Sequence, residues 1–484
     1  MRSHSQFIAL DVEALWSVIG DPRRLPEWHS GYREVSFDGP PTVGTRGDYV
    51  QSNAVAGELH RRLAPPFTIT AAGVTGDGDA GVASAGRGDG AVGDMGVGRR
   101  VLALVQPEPI ADTRIEFELT AVDGGTVVTE TVTATAAVGG VSRFILSGAP
   151  QLTTRTDFAR LALLAGTPKV DDALTVVIAG GSGALGQHLA ADLTCRGHRP
   201  IILTRGVDPD SPFEQVRWDG RSIGEWVRVL DPNPDGPVAV VNLAGKLVDC
   251  PPTARNVAAL RDSRVDATRA LVEASKRRDA PIDRWLQAST TAIWSDAGEQ
   301  WCVESTPLPV GLPQMTGVAQ PWEEAVAGAN TAHLTILRTS IVLDGRSAAM
   351  KRLVDITRAG LGGRVGSGRQ WFSWIHVDDW LGIARAALGL DPDITLPDGV
   401  VVGASPNPVR NVELMAALRR ALHRPPAPPT PAPLLKVGAV VLRTDPALGL
   451  TGRRARSEVL EEAGFEFRFP ELDAALDDLL GRSR

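Results

Sequence analysis

The apolar segment Val176–Ala179 runs straight into Gly180-Gly181-Ser182-Gly183-Ala184-Leu185-Gly186, which places Gly180, Gly183 and Gly186 in a GxxGxxG spacing. Glycines so spaced let the backbone turn tightly and approach a pyrophosphate, whose charge is held at the N-terminus of the following helix, here from about Ala184. The plain alternative is a tight strand–helix turn without a ligand. Context separates the two: a buried strand precedes the glycines, a helix follows, and a repeated strand–helix pattern begins here, so the segment predicts dinucleotide binding. The end of the second strand bears on which dinucleotide. A site preferring NAD places an acidic residue there, roughly 20 residues past the glycines, to accept hydrogen bonds from ribose hydroxyls. This chain has Thr204-Arg205-Gly206 instead. A guanidinium at that point would pair with a 2′-phosphate and could stack on adenine, although an exposed arginine is ordinary in so arginine-rich a chain. The expected cofactor is NADP(H) in preference to NAD(H).

Groups able to move a proton are few. Tyrosine occurs only as Tyr32 and Tyr49, and neither has a lysine four residues on. A phenol acidified by a lysine is therefore excluded, and proton transfer must use another group or water. Ser289 and Thr290 could orient a substrate oxygen, or only cap the next turn. Glu323 could act as acid or base, or lie on the surface of a helix. His376 can titrate near neutrality, against a role in anchoring its loop. Asp378 and Asp379 could coordinate a metal, but no His/Asp cluster accompanies them, so helix capping is expected and no metal site. Lys246 could meet an anionic substrate.

The elements that must position these residues follow from hydropathy patterning. The segments 174–180, 200–205, 238–245, 284–290 and 334–343 are continuously apolar and alternate with helical stretches, which indicates a parallel sheet covered on both faces. Residues 1–166 read differently, as an α+β unit. Asp11 is a candidate N-cap for a helix over Val12–Ile19, and Asp21–His29 reads as a turn plus a short helix. Arg114–Thr120 alternates Ile115, Phe117 and Leu119 with polar residues, and Asp123-Gly124-Gly125 then turns into a second strand. A closing helix is expected between about Ala149 and Leu164. The tract 73–98 is almost wholly Gly, Ala, Asp, Val and Ser, a composition that buries too little apolar surface to offset chain entropy, and predicts a flexible loop. Residues 424–433 predict a stiff extended connector. The rest, including a core helix over Leu434–Leu442, reads as mainly helical. The expected domains are 1–166, 174–423 and 424–484.

With 484 residues the chain is too long for one ordinary core. A net charge of -7 gives no reason to expect a nucleic-acid partner. Three scattered cysteines, Cys195, Cys250 and Cys302, fit a reduced cytoplasmic protein and neither a disulfide framework nor a zinc site. No uncharged apolar run approaches the ~20 residues that span a bilayer.

From Leu174 to the C-terminus the chain resembles the atypical extended short-chain dehydrogenase/reductases of the NAD(P)-dependent epimerase type. The resemblance rests on GGSGALG, Thr204-Arg205-Gly206, NLAG (242–245), SRVDATRALVEA (263–274), PWEEA (321–325), RTSIVLDG (338–345), GSGRQWFSWIHVDD (366–379) and AGFEFRFPELDAAL (463–476). It implies a Rossmann-type doubly wound sheet with a small helical C-terminal domain. Gly180–Gly186 would bind pyrophosphate and Arg205 the 2′-phosphate, with Leu243, Ala244 and Gly245 along the adenosine and ribose. Ser289 and Thr290 would sit near the nicotinamide. The family's Tyr-x-x-x-Lys pair is missing, its nearest counterpart lying around Val318–Trp322. Its usual aromatic-Gly pair after the Ser-rich strand end is here Ile293-Trp294-Ser295-Asp296, and Lys246 stands where many relatives are acidic. The N-terminal part resembles the START-like polyketide cyclase/dehydrase superfamily, which implies an α+β helix-grip fold around an apolar cavity. Three functions are compatible with this: an NADP-dependent oxidoreductase or epimerase acting on a small carbonyl or hydroxyl compound, a non-catalytic NADP(H) sensor, and a carrier of an apolar ligand in the N-terminal domain. No motif specifies the substrate or an oligomeric state.

Overall fold

A strand with no polar alternation needs cover on both faces, and each of the apolar runs after Leu174 obtains it. The computed structural model describes residues 1–52, 66–74, 99–106, 111–136, 152–231, 236–248, 250–313, 315–431, 445 and 447–480. They divide into two compact units, Met1–Asp171 with Ala191–His198, and Asp172–Ala190 with Arg199–Leu480. No helix among the described residues is long and apolar enough to cross a membrane.

The first unit is a seven-stranded antiparallel sheet with helices. In chain order it comprises β1 (Arg2–Ile8), α1 (Val12–Ile19), α2 (Leu25–Trp28), β2 (Tyr32–Ser36), β3 (Arg46–Gln51), β4 (Phe67–Val74), β5 (Arg99–Gln106), β6 (Ala111–Val122), β7 (Gly125–Ala136) and α3 (Arg155–Ala165). The sheet order is β1-β7-β6-β5-β4-β3-β2. Asp11 caps α1 by accepting from the Ala14 N–H at 2.7 Å. The hairpin turns at Asp123-Gly124, where Val122 faces Gly125 across the ladder and Gly124 takes φ 73°. Ile115, Phe117 and Leu119 are buried, as are Leu15 and Ile19 of α1 and Phe158 and Leu161 of α3. Helix α3 starts later than its hydropathy suggests, at Arg155. Thr154 and Asp157 form a capping box there, each side chain accepting from the other's backbone N–H, which fixes the first turn. Gly73 and Val74 end β4, and the remainder of the glycine-rich tract lies outside the described residues.

The second unit carries β8 (Thr175–Ala179), α4 (Ala184–Cys195, which continues into the first unit), β9 (Arg199–Thr204), β10 (Glu214–Arg217), β11 (Val238–Asn242), α5 (Ala254–Ser275), β12 (Ile282–Thr290), α6 (Thr316–Glu324), β13 (Thr331–Thr339), α7 (Val377–Ala387) and β14 (Gly399–Gly403). All seven strands are parallel, in the order β10-β9-β8-β11-β12-β13-β14. The order reverses between β8 and β11, and in open sheets of this kind the crevice beyond the carboxyl ends at the reversal is where ligands bind. Val177, Val240 and Trp285 share a buried cluster with Leu271 and Ala274 of α5. The two edge strands escape sequence reading: β10 is polar at three of its four positions, and β14 is short and bounded by glycines. The run 334–343 splits at Ser340, whose N–H and hydroxyl both donate to the Gly403 carbonyl. Ile341–Leu343 then pairs with Trp374–His376. Near the C-terminus, Leu472 and Leu476 pack with Leu414, Leu418 and Trp374. The expected helix over Leu434–Leu442 lies outside the described residues.

Helix α4 approaches the loop after β8 so closely that a Cβ at Gly186 would lie 2.5 Å from the Gly181 Cα. Backbone cannot yield as a side chain can. Gly186→Ala is expected to cost about 1–3 kcal/mol, read as a lower denaturant midpoint.

Candidate functional site

The four glycines of the β8–α4 turn have different duties. Gly180 has φ 77°, and a Cβ there would come within 2.9 Å of the backbone of Leu243 and Ala244. Gly181 lies against Ile202, and Gly186 against Gly181. Gly183 is the least crowded of the four, a Cβ there meeting only the Gly180 carbonyl oxygen, at 3.3 Å. Ser182, Gly183 and Ala184 are exposed. The first N–H groups of a helix have no carbonyls of their own turn to bond, so the start of α4 presents donors beside a surface bare of side chains. Those are the requirements of a phosphate cradle.

Arg205 follows β9, the strand beside β8, and is exposed. The Thr204 hydroxyl brackets Gly206, donating to its carbonyl at 2.9 Å and lying 3.3 Å from its N–H. Among the described residues the Arg205 side chain has no hydrogen bond or ion pair. On the other side of β8, the turn Leu243-Ala244-Gly245 is held by Asn242, which is fully buried. Its Oδ1 accepts from the Ala244 N–H at 3.1 Å, while its Nδ2 donates to the Thr268 hydroxyl at 2.8 Å and to Gln287 Oε1 at 3.0 Å. Lys246 is exposed at the rim, its backbone N–H donating to the Ser263 hydroxyl.

At the end of β12, register sets Ser289 beside Arg338 of β13. Ser289 Oγ donates to Glu323 Oε1 at 2.5 Å, and Arg338 grips the same carboxylate with two N–H groups, at 2.9 and 2.8 Å. The Arg338 and Glu323 side chains are 7% and 10% exposed. Glu323 is thus not a surface glutamate: its carboxylate accepts three hydrogen bonds, one from Ser289 and two from Arg338. Thr290 is half-buried; its Oγ accepts from the Ala292 N–H at 3.1 Å and donates no hydrogen bond among the described residues. The Arg338 guanidinium also lies 4.9 Å from the centroid of the buried Trp294 ring. Ser295, where relatives are expected to have glycine, takes φ 56°. Its hydroxyl accepts from the Leu312 N–H at 3.0 Å, a bond that offsets part of the strain of a side chain in left-handed backbone. Just past it, a cavity of about 360 Å³ is lined by Asp296, Glu299, Ser367, Arg369, Gln370 and Trp371, among others.

The polar residues of the HVDD segment are engaged in capping and tethering contacts. His376 is 1% exposed, caps α7 by accepting from the Asp378 N–H, and stacks on Phe469 at 4.0 Å between ring centroids. Asp379 accepts from the backbone N–H groups of Arg468 and Phe469, and Asp378 pairs with Arg468 at 3.0 Å. Burial pushes the Asp379 carboxyl above the usual carboxylate range. No group of three potential metal ligands occurs among the described residues. Two residues escape a reading by type alone. Arg338 is one; the other is Arg264 of α5, whose guanidinium lies against Gly245 and 5.1 Å from the Trp322 ring centroid. Both stand in segments quoted for the family resemblance, which was the only sign of them.

Comparison with known proteins agrees with this geometry. Residues 176–393 match the NAD dependent epimerase/dehydratase family, and residues 430–479 match a domain of unknown function, DUF1731. An epimerase family protein of Mycobacterium bovis is 30% identical over 305 residues, covering 62% of this chain and 96% of its own. The human epimerase family protein SDR39U1, solved with NADPH, aligns with a TM-score of 0.55 and 27% identity over 63% of this chain and 99% of its own. A nucleoside-diphosphate sugar epimerase of Corynebacterium glutamicum has 21% identity and a TM-score of 0.57, covering 99% of this chain and 90% of its own, a likeness of fold that spans both units. On the glycine turn, the parallel sheet and a relative matched over nearly its whole length, the chain belongs to the NAD dependent epimerase/dehydratase family.

Proposed function

We propose that this protein binds NADP(H) in preference to NAD(H) and acts as an oxidoreductase or epimerase-like enzyme on a small carbonyl or hydroxyl compound. The observation that carries the cofactor reading is Arg205, an exposed guanidinium at the end of β9, beside the glycine turn, with no hydrogen bond or ion pair among the described residues. Charge and fork geometry suit it to a 2′-phosphate, and the human relative was solved with NADPH. Gly180–Gly186 would hold the pyrophosphate, and Leu243, Ala244 and Gly245 would lie along the adenosine and ribose.

A nicotinamide, when bound, supplies or accepts a hydride. The chain's own part is to place the substrate oxygen. Thr290 donates the orienting hydrogen bond, since the hydroxyl proton of Ser289 is committed to Glu323. Ser289 and Glu323 are positioning residues, locked by Arg338, and water carries the proton that a tyrosine would otherwise exchange. The polar cavity past Ser295 is the natural seat for the rest of the substrate.

A second reading concerns the first unit, whose seven antiparallel strands and long α3 are consistent with a START-like helix-grip domain. Inside it the Tyr32 hydroxyl, Gln51 Nε2 and Trp28 Nε1 are buried without hydrogen-bond partners among the described residues, and Tyr32 and Gln51 face each other across β2 and β3. Burial and the Glu130 carboxylate hold the Tyr32 phenol well above its ordinary pKa, so it is a neutral donor. Unsatisfied buried donors are costly, and a largely apolar ligand carrying a carbonyl would satisfy them.

Fluorescence titration tests the cofactor. Arg205→Ala should weaken NADPH roughly 10–100-fold with NADH little changed, and Gly183→Ala should weaken both nucleotides in a protein that still folds. Equal effects of Arg205→Ala on the two nucleotides would remove the NADP preference. For catalysis, Thr290→Val should lower kcat with a panel of carbonyl compounds by up to about tenfold. Nucleotide binding with no turnover of any panel member would instead make the protein a sensor. For the first unit, solvent extraction and mass spectrometry of purified protein should yield a carbonyl-bearing apolar compound, in smaller amount from Tyr32→Phe. Empty extracts from both proteins would end the carrier reading.

A further inference from the structure

Proline-dense chain has one regular conformation open to it, polyproline II, a helix of three residues per turn with no internal hydrogen bonds. The run Arg424-Pro425-Pro426-Ala427-Pro428-Pro429-Thr430-Pro431 follows the helix Asn411–Ala421, and its burial has that period. Ala427 and Thr430, three residues apart, are half-buried, while Pro425, Pro426, Pro428, Pro429 and Pro431 are all exposed. The Ala427–Thr430 edge is seated on the protein. The Thr430 N–H donates to the Arg364 carbonyl and the Thr430 carbonyl accepts from the Gly366 N–H, both at 2.9 Å, which bridges Thr430 to Val365 in parallel. One turn earlier the backbone lies so close to Gly363 that a Cβ there would run into the Pro428 carbonyl and come within 3.1 Å of the Ala427 oxygen. The segment is held as a rod along one edge.

Seating that edge leaves the other two on display. Residues three apart share an edge, so Pro425, Pro428 and Pro431 stand in one exposed row, and Pro426 and Pro429 in a second. A plain connector needs no such display. Proline has no N–H, so a partner would break no hydrogen bond in covering these rows. The anchored backbone has also lost its freedom already, which lowers the entropic cost of association. At the head of the rows Arg424 is exposed, its side chain without a hydrogen bond or ion pair among the described residues. Residues 423–433 include no Asp or Glu. We propose that residues 424–431 are a docking ligand for a separate protein domain, one whose groove is lined by aromatic side chains and carries an acidic residue at one end. The aromatic side chains would take the two proline rows, by the shape and apolar contact through which such grooves read polyproline II. The acidic residue would receive Arg424 and so set the direction in which the rod lies. No bound nucleotide is required.

The test is titration of the full chain into purified polyproline-reading domains, an SH3, a WW and an EVH1 domain, each with acidic residues beside its groove. Binding is followed by the amide resonances of the isotope-labelled domain. At least one domain should bind with a Kd below about 1 mM, its shifts confined to the groove. Pro425→Ala combined with Pro428→Ala strips one row and leaves the seated edge intact. That variant should bind about tenfold more weakly or worse, with Tm within about 2 °C of wild type because both side chains are exposed. Arg424→Glu should weaken binding about threefold or more. No binding by any of the domains, binding that survives the double substitution, or shifts outside the groove would each overturn the proposal. So would self-association of the chain in sedimentation that the double substitution abolishes, since a second copy would then be the occupant.

Discussion

Both carboxylate oxygens of Glu323 meet two N–H groups of Arg338 in a largely buried contact, and the carboxyl ends of β12 and β13 are tied to α6 through it. The pair joins α6 to β13, and through Ser289 it joins both to β12. Removing either partner would leave a buried charge uncompensated, at about 3–5 kcal/mol. The same contact commits the Ser289 hydroxyl. Ser289 spends its proton inward, while the hydroxyl of Thr290, one residue on and facing the other way along the strand, donates no hydrogen bond among the described residues. Trp294 closes the arrangement from the far side of the Arg338 guanidinium.

The crevice itself is defined by backbone rather than by side chains. Gly180 against Leu243 and Ala244, and Gly186 against Gly181, bring chain to chain at distances where a Cβ has no place. Asn242 then holds the facing turn with three hydrogen bonds from a fully buried amide. Against this rigid frame, and among the described residues, Arg205 and Arg264 lack an ion pair and the Thr290 hydroxyl donates no hydrogen bond. Departures of this kind are where a sequence can give up stability for function.

What the sequence discloses and what it withholds follow a physical division. The helix over Val12–Ile19, the turn at Asp123-Gly124 and the strand–glycine–helix succession at Val176–Gly186 are legible because their causes are local: a capping carboxylate, a positive φ, an unbroken apolar run. The edge strands β10 and β14 are not, since one is polar and the other too short to show a period. Glu323 could be placed on a helix from sequence, but its partners lie 34 residues before it and 15 after, and only the β12–β13 register reveals that they converge. Arg264 looks like any arginine on a long polar helix until the glycine beneath it and the tryptophan beside it are seen. HVDD shows the reverse case: residues rich in chemical potential are spent on capping α7 and tethering the segment around Arg468 and Phe469.

Gly183 differs from its neighbours in a way that matters over evolutionary time. Gly180, Gly181 and Gly186 answer to the fold, so a lineage loses them only at a cost in stability. Under the proposed cofactor reading, Gly183 answers chiefly to the nucleotide. A descendant released from cofactor binding would keep the first three and drift at this one, so its residue there records whether a relative still works as a nucleotide protein or survives as a scaffold.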